Sequence, residues 1–293
     1  MTRTIDVEVA LEAGAELGEG PVWDPRIACL YWVDIMRGVV HRFDPERRDD
    51  RMYRIGQPVG AAVPTRSSDL LLAMRDGFGR LDLETGVVRM VAAVEADRPD
   101  HRMNDGRCDS AGRFWAGTMA IDECPCAGSL YRLDPDGSVH TMVRGVTVSN
   151  GIDWSADHRR MYYIDSGTGR VDVFDFDRSL GAIENRRSFV CIPPECGVPD
   201  GLTIDSEEFV WVALWSGGAV HRYAPDGSLD AIVRLPVTHP TSCAFGGKDM
   251  QDLYVTSATI ALSDAERSAQ PLAGALFCCR PGAVGRMSHL FGA

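Results

Sequence analysis

The sequence predicts an all-β fold: a six-bladed β-propeller with four-stranded antiparallel blades around a central channel, one domain over residues 1–293. Two observations carry this. The first is a complete meander between Val148 and Asp177. Its strand patterns, Ile152–Trp154, Arg160–Asp165 and Arg170–Phe176, are separated by Ser155–His158 and the Gly-rich Ser166–Gly169. Aromatic and β-branched residues favour strands, while Ser, Asp and Gly supply the turns. One meander of this size cannot bury its own apolar face. The second observation is that the unit repeats. Its second-strand signature recurs as Leu30-Tyr31, Leu71-Leu72, Phe114-Trp115, Met161-Tyr162, Val210-Trp211 and Leu253-Tyr254, at intervals of 41 to 49 residues. A strand led by Gly38, Gly77, Gly128, Gly169, Gly218 or Gly274 trails each copy. A period in the forties with four short strands per unit marks a propeller blade. A β-sandwich would leave that period unexplained.

The global numbers fit. With 45% hydrophobic residues the chain can fill a large core, and its net charge of -12 disfavours nucleic acid or an anionic membrane as partner. No apolar run approaches the roughly 18 residues of a membrane helix. Acidic residues in the N-terminal MTRTIDVEVALEAGAELGEG interrupt any signal-peptide stretch, so a cytoplasmic protein is expected. The nine cysteines are an odd count, and Cys124-Pro125-Cys126 lacks both the spacer and the second ligand pair of a zinc knuckle. Reduced, structural thiols are the expectation. A monomer or weak dimer is expected.

In chain order, Thr4 to Leu11 alternates like a strand and is expected to close the ring beside the C-terminal blade, Cys243 to His289. Blade one then opens with Glu19 between two glycines. Blade three opens with Arg102-Met103-Asn104-Asp105-Gly106, blade four with Ser149-Asn150-Gly151, and blade five with Pro199-Asp200-Gly201. Asn-Gly and Asp-Gly are strong turn formers, which accounts for them blandly. Yet the innermost strand of every blade starts near the channel, so equivalent positions converge at one mouth. Glu19, Asn150 and Asp200 would bring two carboxylates and an amide oxygen together, with Asn104 and Arg102 beside them. Hard oxygen ligands suit Ca²⁺, Mg²⁺ or Mn²⁺.

The motifs LGEGPVW (17–23), RMNDG (102–106), GRFWAGTM (112–119), SNGIDWS (149–155), YYIDS (162–166), PDGLTID (199–205) and PTSCAFGG (240–247) resemble those of the SMP-30/gluconolactonase family of regucalcin-like proteins and sugar lactonases. They span nearly the whole chain, in order. The resemblance implies hydrolysis of aldonolactones with one divalent metal, Ca²⁺ first, with Zn²⁺, Mg²⁺, Mn²⁺ or Fe²⁺ as alternatives. It implies Glu19, Asn150 and Asp200 as metal ligands, Arg102 and Asn104 as substrate contacts, and Asp200 as general base. A calcium-dependent propeller phosphotriesterase and a non-catalytic calcium-binding regulator are the alternatives. One departure concerns specificity. Where regucalcin-like members carry a substrate-contacting Glu just after the GTM motif, this chain reads Met119-Ala120-Ile121, with acids only at Asp122 and Glu123, and a short ECPCAG loop follows.

The remaining candidates read as structural. His41 and His221 occupy equivalent third-strand positions and are expected to pack within blades. His239, before blade six, could face the channel, and Trp215 could line the pocket. Ser242 has no visible triad partners, and no phosphate-cradling loop is present.

Overall fold

The computed structural model describes residues 3–292, and it is a closed ring of six antiparallel blades. Blade one runs Gly18–Asp24, Cys29–Asp34, Val39–Asp44, Asp49–Arg54, and blade two Val59–Pro64, Asp69–Met74, Gly77–Asp82, Val88–Ala93. Blade three is His101–Cys108, Phe114–Ala120, Gly128–Leu133, Val139–Val146, and blade four Ser149–Trp154, Arg160–Asp165, Arg170–Asp177, Ala182–Cys191. Blade five contains Val198–Ile204, Val210–Trp215, Ala219–Tyr223 and Leu229–Arg234. Blade six contains Pro240–Gly246, Asp252–Ser257 and Leu276–Cys279, with a short helix, Asp264–Ala269, under a Ser263–Glu266 capping box.

The ring closes with the N-terminus, but in two pieces rather than the single strand the alternation suggests. Glu8–Leu11 is the outer strand of blade six, antiparallel to Leu276–Cys279. Arg3–Ile5 instead adds parallel to the outer strand of blade five. The segment straddles the seam because Ile5, Val7 and Val9 all pack into the apolar cluster that blades five and six share.

Six apolar clusters hold the ring, one at each seam between neighbouring blades. Strand alternation explains how one strand serves two seams. Tyr31 and Val33 face blade two, whereas Leu30 and Trp32 face blade six. Likewise Tyr162 and Ile164 face blade five while Met161 and Tyr163 face blade three. The strand signature is therefore a seam-filling pattern. Buried carboxylates at the far ends of the inner strands anchor it: Asp109 accepts the Trp115 indole N–H at 2.9 Å, and Asp205 accepts that of Trp211 at 3.0 Å.

Each inner strand lies against those of both neighbouring blades around the channel. All six also carry a register break near their N-terminal ends, such as Glu19/Val22, Met103/Gly106, Ser149/Ile152 and Pro199/Leu202. Bulges of this kind re-aim side chains and often border active sites. No helix among the described residues is long and apolar enough to cross a membrane, and all nine cysteines are free.

Candidate active site

The register breaks carry the candidate residues. Asn104, Asp105, Asn150 and Asp200 sit within them and Glu19 at the edge of one, at the same end of the channel. Each is buried, with Glu19 at 3%, Asn150 at 4% and Asp200 at 6% relative exposure. The Asn-Gly and Asp-Gly pairs are therefore strand residues here, not turns. A Cβ on Gly151 would lie 2.6 Å from the Leu202 amide nitrogen and 2.8 Å from the Asp200 carbonyl oxygen. Glycine is needed where two inner strands approach this closely.

The loops before Glu19 and Asn150 are pinned in the same way. Asp34, ending the second strand of blade one, accepts N–H groups from Glu16 (2.9 Å) and Leu17 (3.2 Å). Its repeat equivalent Asp165 accepts those of Thr147 (3.1 Å) and Val148 (3.0 Å). Sequence reading passed over both, although their identical phase, three residues after Tyr31 and Tyr162, was available as a signal. Ser166 was missed too. It takes the Asn150 amide N–H at 3.0 Å and donates its hydroxyl to the Pro199 carbonyl at 2.7 Å, tying blade four to the residue before Asp200.

Electrostatically the centre is overloaded with negative charge. Burial, then the charges of Asp200 and Asp105, hold the Glu19 carboxyl well above the ordinary range, although the Gly20 N–H (2.9 Å) and Arg102 act against this. Burial and Asp105 raise Asp200 likewise, opposed by Asn150, Glu19 and Arg102. Asp105, lower in the channel, is pushed up to about 6 by burial. Arg102 is the nearby cation. It is buried and pairs with no carboxylate within 4 Å among the described residues, Asp100 and Asp105 included. Its Nη1 donates to Asn104 Oδ1 (2.6 Å) and the Met103 carbonyl (3.2 Å), and burial lowers its pKa to about 10. Asn104 in turn donates to the Ser149 carbonyl at 2.8 Å, so it brackets Arg102 against blade four. Asn150 is different: its Oδ1 is buried with no hydrogen-bond partner.

An orphaned buried oxygen beside two mutually repelling carboxylates is an arrangement a cation would complete. All three donors are hard oxygens, as Ca²⁺, Mg²⁺ or Mn²⁺ prefer. Among the described residues no group of three or more His, Cys, Asp or Glu side chains is placed to hold a metal ion, and this set has only two such side chains, its third oxygen being the Asn150 amide.

The other expectations resolve as follows. His41 stacks on Trp32 (3.8 Å between ring centroids) and pairs with Asp50 at 2.7 Å, while His221 contacts the Tyr223 hydroxyl at 3.0 Å, so both are blade packing. His239 stacks on Trp215 at 4.1 Å, at the blade five and six edge of the same end of the channel. Ile121 is half exposed and leads into an exposed loop. The charge of Glu123 in that loop still reaches Arg102.

The SMP-30/Gluconolactonase/LRE-like region matches residues 17–259 of this chain. The chain belongs to that family. It is 38% identical to regucalcin of Xenopus laevis over 280 residues, covering 94% of each chain. It is 35% identical over 274 residues to a Bacillus subtilis (strain 168) protein, YvrE, named as a candidate sugar lactone lactonase, covering 93% of this chain and 94% of that one. In three dimensions it superposes on the crystal structure of regucalcin from Agrobacterium tumefaciens, described as a calcium-binding protein. The TM-score is 0.96, at 29% identity, with 100% of both chains covered. The superposition over the full length of both chains accounts for the shared ring fold.

Proposed function

We propose that this protein is a divalent-metal-dependent lactonase that opens sugar lactones to aldonic acids. The observation that carries the reading is the unpartnered Asn150 Oδ1 buried beside the Glu19 and Asp200 carboxyls. Its similarity to YvrE and to a calcium-binding regucalcin supports the substrate class and the ion. Glu19, Asn150 and Asp200 would hold the metal, Ca²⁺ by preference. Bound there, it supplies Lewis-acid polarisation of an acyl oxygen.

The chain's own residues do the rest. Arg102, held in place by Asn104, presents guanidinium N–H groups to the lactone carbonyl and ring hydroxyls. Its charge favours the oxyanion that forms when water adds to the carbonyl carbon. Asn104 Oδ1 retains a second lone pair for a substrate hydroxyl. Asp200 takes the proton from the attacking water as general base. It returns that proton to the ring oxygen as the carbon–oxygen bond of the lactone breaks, and the open aldonic acid leaves, losing its carboxyl proton to solvent. The inner-strand bulges keep these groups in a site largely shielded from bulk water, where each interaction is stronger. The free thiols support a reducing, cytoplasmic location.

The test is hydrolysis of glucono-, galactono-, xylono- and arabinonolactone, followed by a pH indicator on metal-stripped protein with Ca²⁺, Mg²⁺, Mn²⁺, Zn²⁺ or Fe²⁺ restored. Turnover that returns with metal and vanishes in Asp200→Ala upholds the proposal. A folded protein inert toward every lactone and metal overturns it, in favour of a phosphotriesterase or a calcium-binding regulator.

A further inference from the structure

The opposite end of the channel is closed by the chain's own C-terminus, and a cavity remains beneath it. Residues 284–292 form a strap across the ring. The Ser206 N–H donates to the Val284 carbonyl (2.8 Å) and the Gly285 N–H to the Met250 carbonyl (2.7 Å). At the far end the Phe291 N–H donates to the Pro64 carbonyl and the Gly292 N–H to the Gly112 carbonyl, both at 3.0 Å. Between these anchors Arg286 and His289, with Arg107, Asp153, His158 and Thr203 of the ring, line a cavity of about 200 Å³. That is many times the volume of one water and below the ~300 Å³ at which drug-sized pockets begin.

Its charge is out of keeping with the protein, which carries a net -12. Arg107 Nη1 meets Asp153 Oδ2 at 2.6 Å, and Arg286 Nη2 meets Asp153 Oδ1 at 3.6 Å. One carboxylate thus serves two guanidiniums. Its oxygens are further occupied by the N–H groups of Trp154 (2.8 Å) and Ile204 (3.0 Å). Nearby Asp109 is committed to Arg113 (2.7 Å) and the Trp115 indole, and Asp157 to Ser155 and the Arg159 N–H. Among the lining side chains two guanidiniums thus face one carboxylate; Asp105, outside the lining, also acts on Arg107, and Arg286 keeps only its Nη1 uncommitted, since its Nη2 and Nε donate to the Trp154 and Ile204 carbonyls. His158 Nδ1 is buried there without a hydrogen-bond partner. Burial, then Arg178 and Arg286, keep this imidazole below its usual pKa, so it is neutral at pH 7 and free to present one N–H.

We propose that this cavity binds a compact oxyanion, a phosphate or a hydroxycarboxylate, gripped by the Arg107 and Arg286 guanidiniums with His158 completing its hydrogen bonds. The planar fork of arginine matches the paired oxygens of both anion types. A bound anion would also tie the strap to the ring, since Arg286 belongs to one and Arg107 to the other.

The test is isothermal titration of the full chain with inorganic phosphate and with sodium gluconate at constant ionic strength, chloride serving as control. Titrating metal-stripped Asp200→Ala protein alongside keeps the result independent of the lactonase reading, because that variant lacks the proposed catalytic carboxylate. Arg286→Gln and His158→Gly are the informative variants. The glycine suits the left-handed backbone of His158 (φ 55), and circular dichroism checks that both variants fold. Saturable binding of either anion, tenfold or more weaker in both variants, upholds the site, and the tighter anion identifies its chemistry. No binding of either, equal binding by wild type and variants, or an equal response to chloride overturns it.

Discussion

Asn150 donates its side-chain N–H to Ser166 Oγ at 3.0 Å, and that bond fixes the amide with its Oδ1 buried and unpartnered. In the proposed metal site the serine is thus a positioning residue for Asn150. Groups that orient a metal ligand typically matter 10–100-fold in affinity. Ser166→Ala is expected to weaken Ca²⁺ binding by about that factor, and Asn150→Ala by more, as read by calorimetry. Equal affinity in wild type and Ser166→Ala would show that the amide orientation is held by other groups.

Both ionised, Asp200 and Glu19 would repel each other in a buried site, a cost that the proposed cation offsets. Asp200→Asn removes one charge at nearly constant shape. Metal-free Asp200→Asn should melt higher than metal-free wild type by a few degrees, about 2–4 °C per kcal/mol for a chain of roughly this size. Added Ca²⁺ should stabilise wild type strongly and the variant little. Differential scanning calorimetry with and without chelator reads both arms. A variant that melts lower when metal-free would deny the repulsion.

The ring was legible in the sequence because seam filling imposes a period: Tyr31, Trp115, Tyr162, Trp211 and Tyr254 do the same work at intervals the chain repeats. Glu19, Asn150 and Asp200 were legible as a set for the same reason, since they share a phase. What the sequence hid was geometry that turn chemistry imitates. Asn150-Gly151 reads as a turn, yet it is strand, with its glycine set by the approach of the next blade's backbone. Long-range hydrogen bonds such as Ser166 to Pro199 leave no periodic trace. Nor does the C-terminal strap, which belongs to no blade repeat.

Gly151→Ala tests that distinction. A turn with a negative φ would accept alanine, whereas here the new Cβ must displace Leu202 or Asp200 backbone at 2.6 and 2.8 Å. The substitution is expected to cost about 1–3 kcal/mol, the usual range for overpacking. It should also lower Ca²⁺ affinity, because the strand that moves carries Asp200. Urea denaturation and calorimetry together read it. Unchanged stability would mean that blades four and five yield easily at this seam.

His221 sets a pH dependence. Burial, then Arg234, lower its pKa to about 4, against roughly 6.5 for an unfolded histidine. Between those values the unfolded chain binds the proton and the folded chain does not, so stability rises with pH across the window and is lost as pH falls from 6.5 toward 4. Allowing for partial solvent screening, the loss at pH 5 is about 1 kcal/mol. His221→Gln, which keeps a partner for the Tyr223 hydroxyl, should flatten the melting-temperature profile between pH 7.5 and 5. An unaltered profile would assign the acid sensitivity to other groups.

Of the two acids that follow Ile121, Asp122 and Glu123, it is Glu123 that bears on Arg102. The Glu123 charge reaches Arg102 although the loop holding it is exposed. Glu123 acts on Arg102, the proposed substrate contact, and is not among the charges named as acting on Glu19 or Asp200. Glu123→Gln is therefore expected to raise KM for a polyhydroxylated lactone a few-fold with kcat nearly unchanged, the signature of lost uniform binding. Ca²⁺ affinity should stay as in wild type. Steady-state kinetics on two lactones differing in one hydroxyl would read the change as altered preference. A drop in kcat with KM constant would instead place Glu123 in the chemical step.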